Sequence, residues 1–315
     1  MTSSLFVNVR AAMNGMPYRP AGYFFAVDGT SYPGAPYPPQ PLLDDGNGYW
    51  SGFSSGMVGG LANAQDGLWA SSCVGYPAGV IPMGSSITTG VVNLATAVEF
   101  AAQVYYQDNG TYEGLALCFS GYSQGAMVVA VYWTNYVLNP SGVHAHLAPY
   151  VYRIYQFGDP YRCPAIAHGN ALAGLPQNIV TDGVQTGGIG GKLDLTVTQS
   201  NLLAPDGNYI YNSCANQGDI YTGCPVGTNP WGSIAQPGLV GNLIFTEVQS
   251  PSIINTLKIA ESLLVPIGMV EEIINGMVFG LQGTNAPHWQ YFPQMDACVS
   301  DMLALGNALP HQIGY

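Results

Sequence analysis

Residues 115–138 constrain this chain more than any other stretch. An apolar run, LALCFS, leads into Gly121-Tyr122-Ser123-Gln124-Gly125 and then into AMVVAVYWTNYVL, a segment of helical length. Strand, G-x-S-x-G and helix in immediate succession describe a sharp turn that lifts a serine hydroxyl above the edge of a sheet. The reason is steric: the serine takes a strained backbone conformation, and glycines at 121 and 125 remove side chains that would collide with neighbouring backbone. The helix then points its positive end at the hydroxyl, and the Gln124 amide is placed to meet an oxyanion. In a chain with 41 glycines the pentapeptide alone says little, so the strand before it and the helix after it carry the reading.

At 315 residues and 48% hydrophobic content, the chain suffices for one large domain with an insertion. Only 8% of residues are charged, against about a quarter in ordinary domains, and low charge with high hydrophobicity is the opposite of disorder. The net charge is −12, and the six cations Arg10, Arg19, Arg153, Arg162, Lys192 and Lys258 make no basic face to neutralise a phosphate backbone. Nucleic acid is therefore excluded as a partner. The first twenty residues lack the basic start and apolar core of a secretory signal. The longest apolar region, 253–279, is interrupted by Lys258, Glu261, Pro266, Glu271 and Glu272, which excludes a membrane span there. The expectation is a soluble protein made in the cytoplasm, with no integral span, that reaches any external target by other means.

Hydrophobic patterning predicts strands over 22–29 (GYFFAVDG), 70–76, 151–157 and 209–213 in addition to the one before Ser123. It predicts a helix over 91–107, capped by Ser86 or Thr88, and reads 183–191 as loop. Alternating strands and helices form the βαβ pattern of a mostly parallel, doubly wound sheet flanked by helices. In such a hydrolase fold the loop after an early strand supplies a second oxyanion amide, from Thr30 or Ser31 here.

A serine nucleophile needs a base, and the base an orienting acid; in this fold they follow in the order Ser, Asp or Glu, His. His144, His146 and His168 come too early, and His311 lies four residues from the C-terminus, where chains fray. His288, in the aromatic stretch NAPHWQY, is the stronger candidate. For the acid, Asp219 follows a predicted strand within a loop bracketed by Cys214 and Cys224, and a disulfide between them would hold the carboxylate at fixed reach. Asp159 is the alternative; its following proline suits a turn. No His/Cys cluster has metal-ligand spacing, so neither metal nor organic cofactor is expected.

The elbow GYSQGA resembles that of cutinases and of the related lysin B enzymes of mycobacteriophages. Further segments are similar to lysin B: FFAVDGT, the run from Tyr76 to Leu94, GDPYR at 158–162, QGDIY at 217–221 and PHWQYFP at 287–293. The resemblance implies a cutinase-like α/β-hydrolase fold with nucleophile Ser123, acid Asp219 and base His288, and Gln124 and Thr30 as oxyanion donors. It also implies a layout of N-terminal arm (1–20), core (21–224), mostly helical linker or lid (225–284) and a return carrying the histidine (285–315). The activity it implies is hydrolysis of the ester joining mycolic acids to arabinogalactan. Within the insertion, Leu257, Leu264, Met269, Ile273 and Met277 are the candidates for an acyl groove, or simply for the packed face of a helical pair. One departure is Asp28, where lysin B-like sequences tend to carry histidine; its carboxylate is expected near the oxyanion pocket, weakening anion stabilisation.

A second reading, from another class, is a virion structural or decoration protein that keeps the fold to bind the envelope and assembles with itself or with other virion proteins. A host PE-PPE-type hydrolase domain is a third, for which no N-terminal PE or PPE helical region is visible. On the first reading the protein acts at the mycobacterial envelope after lysis; on the second it is carried in the phage particle.

Overall fold

The computed structural model describes residues 20–30, 52–64, 67–79, 83–181, 184–190, 197–219, 221–225 and 287–309. In chain order these contain β1 (Gly22–Val27), α1 (Phe53–Ala64), β2 (Trp69–Cys73), α2 (Met83–Asn109), β3 (Leu117–Tyr122), α3 (Gln124–Tyr132, continuing as a π-helical turn over Trp133–Leu138), β4 (Val151–Phe157), α4 (His168–Leu172), β5 (Val180–Thr181), β6 (Val184–Gly187), α5 (Val197–Ser200), β7 (Tyr211–Cys214), β8 (Cys224–Pro225) and α6 (Phe292–Ala308). The predicted arm and almost all of the predicted linker lie outside the described residues, and with them Ser31, His311 and the acyl-groove candidates Leu257, Leu264, Met269, Ile273 and Met277.

Five strands form one sheet in the order β2-β1-β3-β4-β7, and every pairing in it is parallel. The chain moves outward from β1 to β2 and then returns across β1 to β3. That reversal leaves a crevice between the C-terminal ends of β1 and β3, the place where open parallel sheets bind ligands. Side-chain alternation explains the two layers. Tyr23, Phe25 and Val27 face one way and pack with Leu94 and Val98 of α2 and Val128 of α3. Phe24 and Ala26 face the other way, onto Met57 and Leu61 of α1 and Met302 and Leu305 of α6. Phe24 and Phe25 are thus buried on opposite sides of one strand, each contributing roughly 1.5–3 kcal/mol, so β1 anchors both layers. By length and composition α2 qualifies to cross a membrane, yet Leu94, Val98 and Ala101 are packed in the core, as in a core helix.

The structure revises two expectations. α2 begins at Met83, eight residues before the predicted start, so Ser86 and Thr88 lie inside it and cap nothing. Ser86 Oγ accepts the Gly79 N–H at 3.0 Å, and the Thr88 hydroxyl donates to Gly84 O at 2.9 Å. At Gly90 the helix crosses α3 closely: a Cβ there would lie 2.7 Å from a Val128 methyl. The region read as loop at 183–191 includes β6, the middle strand of a small antiparallel sheet in the order β5-β6-β8. Its glycines serve backbone approach, since Gly188 and Gly190 donate to Arg162 O (2.9 Å) and Pro160 O (2.8 Å).

Candidate active site

Ser123 joins β3 to α3 at φ 54°, ψ −116°, a left-handed φ that residues other than glycine rarely adopt. Bonds from two elements hold the strained turn: its N–H donates to Phe157 O at the end of β4 (2.8 Å), and its carbonyl accepts the Ala126 N–H (3.0 Å). The flanking glycines answer to close approach. A Cβ on Gly121 would overlap Gln156 Oε1, and one on Gly125 would overlap the carbonyl oxygen of Val27. α3 therefore starts hard against the end of β1. From that strand Gly29 reaches the serine, its Cβ position lying 2.9 Å from Ser123 Cβ, and Thr30 follows, half-buried. Gln124 is the first residue of α3, so its amide has no acceptor within the helix. Its buried side chain donates to Gly79 O (2.8 Å), and Oε1 lies 3.3 Å from the Tyr76 hydroxyl, which itself donates to Asp28 O at 2.7 Å. Tyr76 thus ties the β1 loop to the elbow.

Asp219 and His288 meet although they stand 69 positions apart in the chain. His288 Nδ1 lies 2.9 Å from Asp219 Oδ2, and that oxygen also accepts the Tyr291 hydroxyl at 2.6 Å. The other carboxylate oxygen takes the Tyr221 N–H at 2.9 Å. Asp219 is fully buried. Burial by itself would raise its carboxyl, but the charge and hydrogen bond of His288, with the donors from Tyr291 and Tyr221, overcome that and hold it below the ordinary carboxylate range. The imidazole is caged as well: the Tyr122 ring stacks on it at 5.2 Å, Tyr221 lies at 4.6 Å, and a Cβ on Gly158 would come 2.6 Å from its Cε1. Phe157 O holds the Ser123 N–H and the next residue, Gly158, lies close against the His288 ring, so the end of β4 borders both residues.

Other candidates fall elsewhere. Asp159 is buried away from the imidazole, accepting Tyr211 OH and Tyr161 N–H at 2.8 Å each, and burial pushes it up to about 6. The Asp28 side chain is engaged by the start of α1. Its carboxylate accepts the Ser54 and Ser55 amides (3.2 and 3.3 Å), capping α1 from a distance, and burial raises it to about 6. Gly52 just before α1 leaves room for this, because a Cβ there would overlap Asp28 Oδ1. The Cys214–Cys224 disulfide is not formed. Cys214 packs on the α1/α6 side, hydrogen-bonded to Cys298, whereas Cys224 belongs to the opposite core cluster, so the sheet separates them. His144 pairs with Glu99 (3.0 Å), and His168 stacks on Tyr209. Among the described residues no group of three or more His, Cys, Asp or Glu side chains could hold a metal ion.

Sequence reasoning missed four supporting residues. Tyr122, the variable position of the elbow, donates its hydroxyl to His288 O (3.0 Å). Asn216 donates to Pro287 O (2.8 Å) and Gln290 O (2.9 Å) and accepts from Gln294 (2.8 Å), gripping the turn that carries His288. Tyr291 and Tyr221 complete the set. The available signal was the density of tyrosine and amide residues flanking Asp219 and His288.

The comparisons with known proteins bear on this geometry. The chain superposes on the crystal structure of lysin B from Mycobacteriophage D29 with a TM-score of 0.62 at 20% identity, over 90% of this chain and 99% of that one. The chain shares the fold of that lysin B. Endolysin B of Mycobacterium phage L5 is 32% identical over 93 residues, which make up 30% of this chain and 34% of that protein. The chain thus spans about a third of the length of the curated relative it matches. The catalytic core of acetyl xylan esterase from Trichoderma reesei superposes more loosely, at a TM-score of 0.39 and 21% identity over 73% of this chain and 96% of that one. No protein-family profile matches the chain.

Proposed function

We propose that this chain is a serine esterase that cleaves lipid esters of the mycobacterial envelope, the bond between mycolic acid and arabinogalactan foremost. The observation that carries this reading is the strained Ser123 elbow set beside a buried Asp219–His288 pair on one β4 terminus. Ser123 Oγ attacks the ester carbonyl while His288 Nε2 takes its proton. Asp219 keeps the Nδ1–H tautomer and steadies the imidazolium. The tetrahedral oxyanion sits between the Gln124 and Thr30 amides at the positive end of α3. Collapse expels the alcohol, which receives the proton from His288. A water activated by the same imidazole then releases the acid. Likeness in fold to lysin B supports the envelope substrate, and no step calls for a metal or an organic cofactor. On this reading the protein is made in the host cytoplasm and acts on the envelope at lysis.

Hydrolysis of p-nitrophenyl butyrate by the purified protein should fall by about 10⁴-fold or more in Ser123→Ala; equal rates in the two proteins would end the esterase reading. Release of free mycolic acids from isolated mycolyl-arabinogalactan tests the substrate. Turnover of the short ester without such release would confine the activity to other esters.

A further inference from the structure

We infer that Tyr291 is a positioning residue of the acid–base pair: its hydroxyl, donated to the same Asp219 oxygen that receives the His288 Nδ1 proton, fixes that oxygen and sets how tightly the pair holds its proton. The inference rests on the esterase reading and goes further, assigning a role to a residue outside the Ser-Asp-His set.

The argument begins with burial. Asp219 has no exposed surface, so its charge is carried by the donors that reach it. Tyr221 N–H occupies Oδ1; Tyr291 Oη at 2.6 Å and His288 Nδ1 at 2.9 Å share Oδ2. The shorter of the two bonds on the shared oxygen is the tyrosine's. Tyr291 is itself buried, and burial beside Asp219 pushes its hydroxyl far above the ordinary range, so it stays a donor at every working pH. Its ring is wedged edge-on against Phe53 (5.6 Å) and Phe157 (6.1 Å), which leaves the hydroxyl little freedom. Tyr291 also immediately precedes α6 and stands three residues after His288, so one short segment brings both donors to the carboxylate.

A donor on a carboxylate stabilises its charged form and weakens it as an acceptor for anything else. With Tyr291 in place, Asp219 orients the imidazole without gripping the imidazolium too firmly. His288 can then pass to the leaving alcohol the proton taken from Ser123, and Asp219 and Tyr291 end the cycle in the protonation states in which they began. Other groups facing this cluster are the Tyr122 and Tyr221 rings on His288, Cys214 beside Tyr291, and the buried Arg162, which feels both Asp219 and Tyr291.

The test is the pH profile of kcat/KM for p-nitrophenyl butyrate in Tyr291→Phe. The acid limb is expected to move up by roughly half to one pH unit, because the freed Oδ2 binds the imidazolium more tightly, and kcat is expected to fall about 3- to 10-fold with KM unchanged. Tyr155→Phe is the matched control. The Tyr155 hydroxyl also sits at 2.6 Å on a carboxylate oxygen, Asp301 Oδ2, which it shares with a nitrogen donor, Arg153 Nε, at 2.8 Å. Its loss should lower stability comparably and leave the limb in place. A Tyr291→Phe limb that is unmoved, or moved down, overturns the inference. If that variant does not fold, the wild-type Tyr291 hydroxyl proton serves instead: it should give a slowly exchanging NMR resonance that shifts as His288 titrates, and a resonance indifferent to that titration is equally fatal. Failure of the esterase reading itself would look different, with Ser123→Ala as active as wild type.

Discussion

The two halves of the site are held by different materials. The elbow half is held by backbone: Ser123 is pinned through its own N–H and C=O, and Gly121 and Gly125 are required because neighbouring atoms stand where a Cβ would go. The acid–base half is held by side chains: Asp219, His288, Tyr291 and Asn216 form a hydrogen-bonded cluster drawn from two segments some 69 residues apart, the separation of Asp219 and His288. Backbone constraint is local and resists relocation. Side-chain constraint can be assembled across a long insertion, and it tolerates single losses with graded cost. The nucleophile is therefore built into the sheet, while the base is delivered to it.

The largest effect should come from the side-chain half. Asp219→Asn reverses what faces Nδ1 and favours the wrong imidazole tautomer, so kcat should fall by about 10⁴, the loss measured for the equivalent change in a serine protease triad. Melting temperature should fall modestly above pH 4, where the ionised carboxylate contributes stability, and a collapse of the fold would show that the carboxylate is chiefly structural. Gly125→Ala tests the other half. Its methyl would overlap the Val27 carbonyl, and overlap with backbone cannot relax by rotating a side chain, so a destabilisation of about 3 kcal/mol or more is expected. Whatever protein does fold should be measured for rate per native molecule. A Gly125→Ala protein of wild-type stability would show that the elbow is not backbone-held.

This division also explains what was legible in the sequence. The elbow could be read because strand, turn and helix are contiguous and its glycines are obligatory. β1 and β4 could be read because their apolar runs are buried on both faces. The first eight residues of α2 could not: Gly84, Ser85, Ser86, Thr88 and Gly90 weaken every local helical signal, and Gly90 answers to contact with α3. The 183–191 segment was misread for the same reason, glycines that serve backbone contact resembling loop. Chain order sufficed to pick out His288. Bracketing by cysteines suggested a disulfide around Asp219, but the faces on which Cys214 and Cys224 lie are fixed only by how β7 and β8 join different sheets. The tyrosine and asparagine contacts are long-range and leave no periodic trace.

Carboxylates in the two halves should respond to pH with opposite sign. Asp28, beside the elbow, rises from 3.8 to about 6 on folding because of burial. Its stabilising contribution is therefore complete below its unfolded value and is lost as pH climbs toward 6. Asp219 is lowered, so its contribution is present above the unfolded value near 3.8 and is lost as pH falls below it. Urea titrations of wild type and Asp28→Asn from pH 4 to 7 should show the wild-type advantage shrinking as pH rises, by about 3 kcal/mol for two pKa units. Asp219→Asn should show the reverse dependence, and only below pH 4. Parallel curves for Asp28→Asn and wild type would mean that Asp28 titrates normally.

The smallest effect bears most directly on how the base is delivered. Asn216 makes three bonds to the segment bearing His288, two through Nδ2 and one through Oδ1. Asn216→Ala leaves every atom of the Asp219–His288 pair in place but strips the grip on the Pro287–Trp289 turn. A stability loss of about 2 kcal/mol is expected, since two backbone carbonyls and one amide lose a partner while solvent can partly replace it at this half-buried position. If the turn is held chiefly by Asn216, kcat should drop about tenfold with KM unchanged, because a small displacement of the base acts on the transition state and not on ground-state binding. If the Tyr122 hydroxyl on His288 O suffices, kcat will be unaltered despite the lost stability. Asn216→Ala and Tyr122→Phe should then add in stability but exceed additivity in kcat, placing the positioning of His288 under joint control of the elbow and the acid loop.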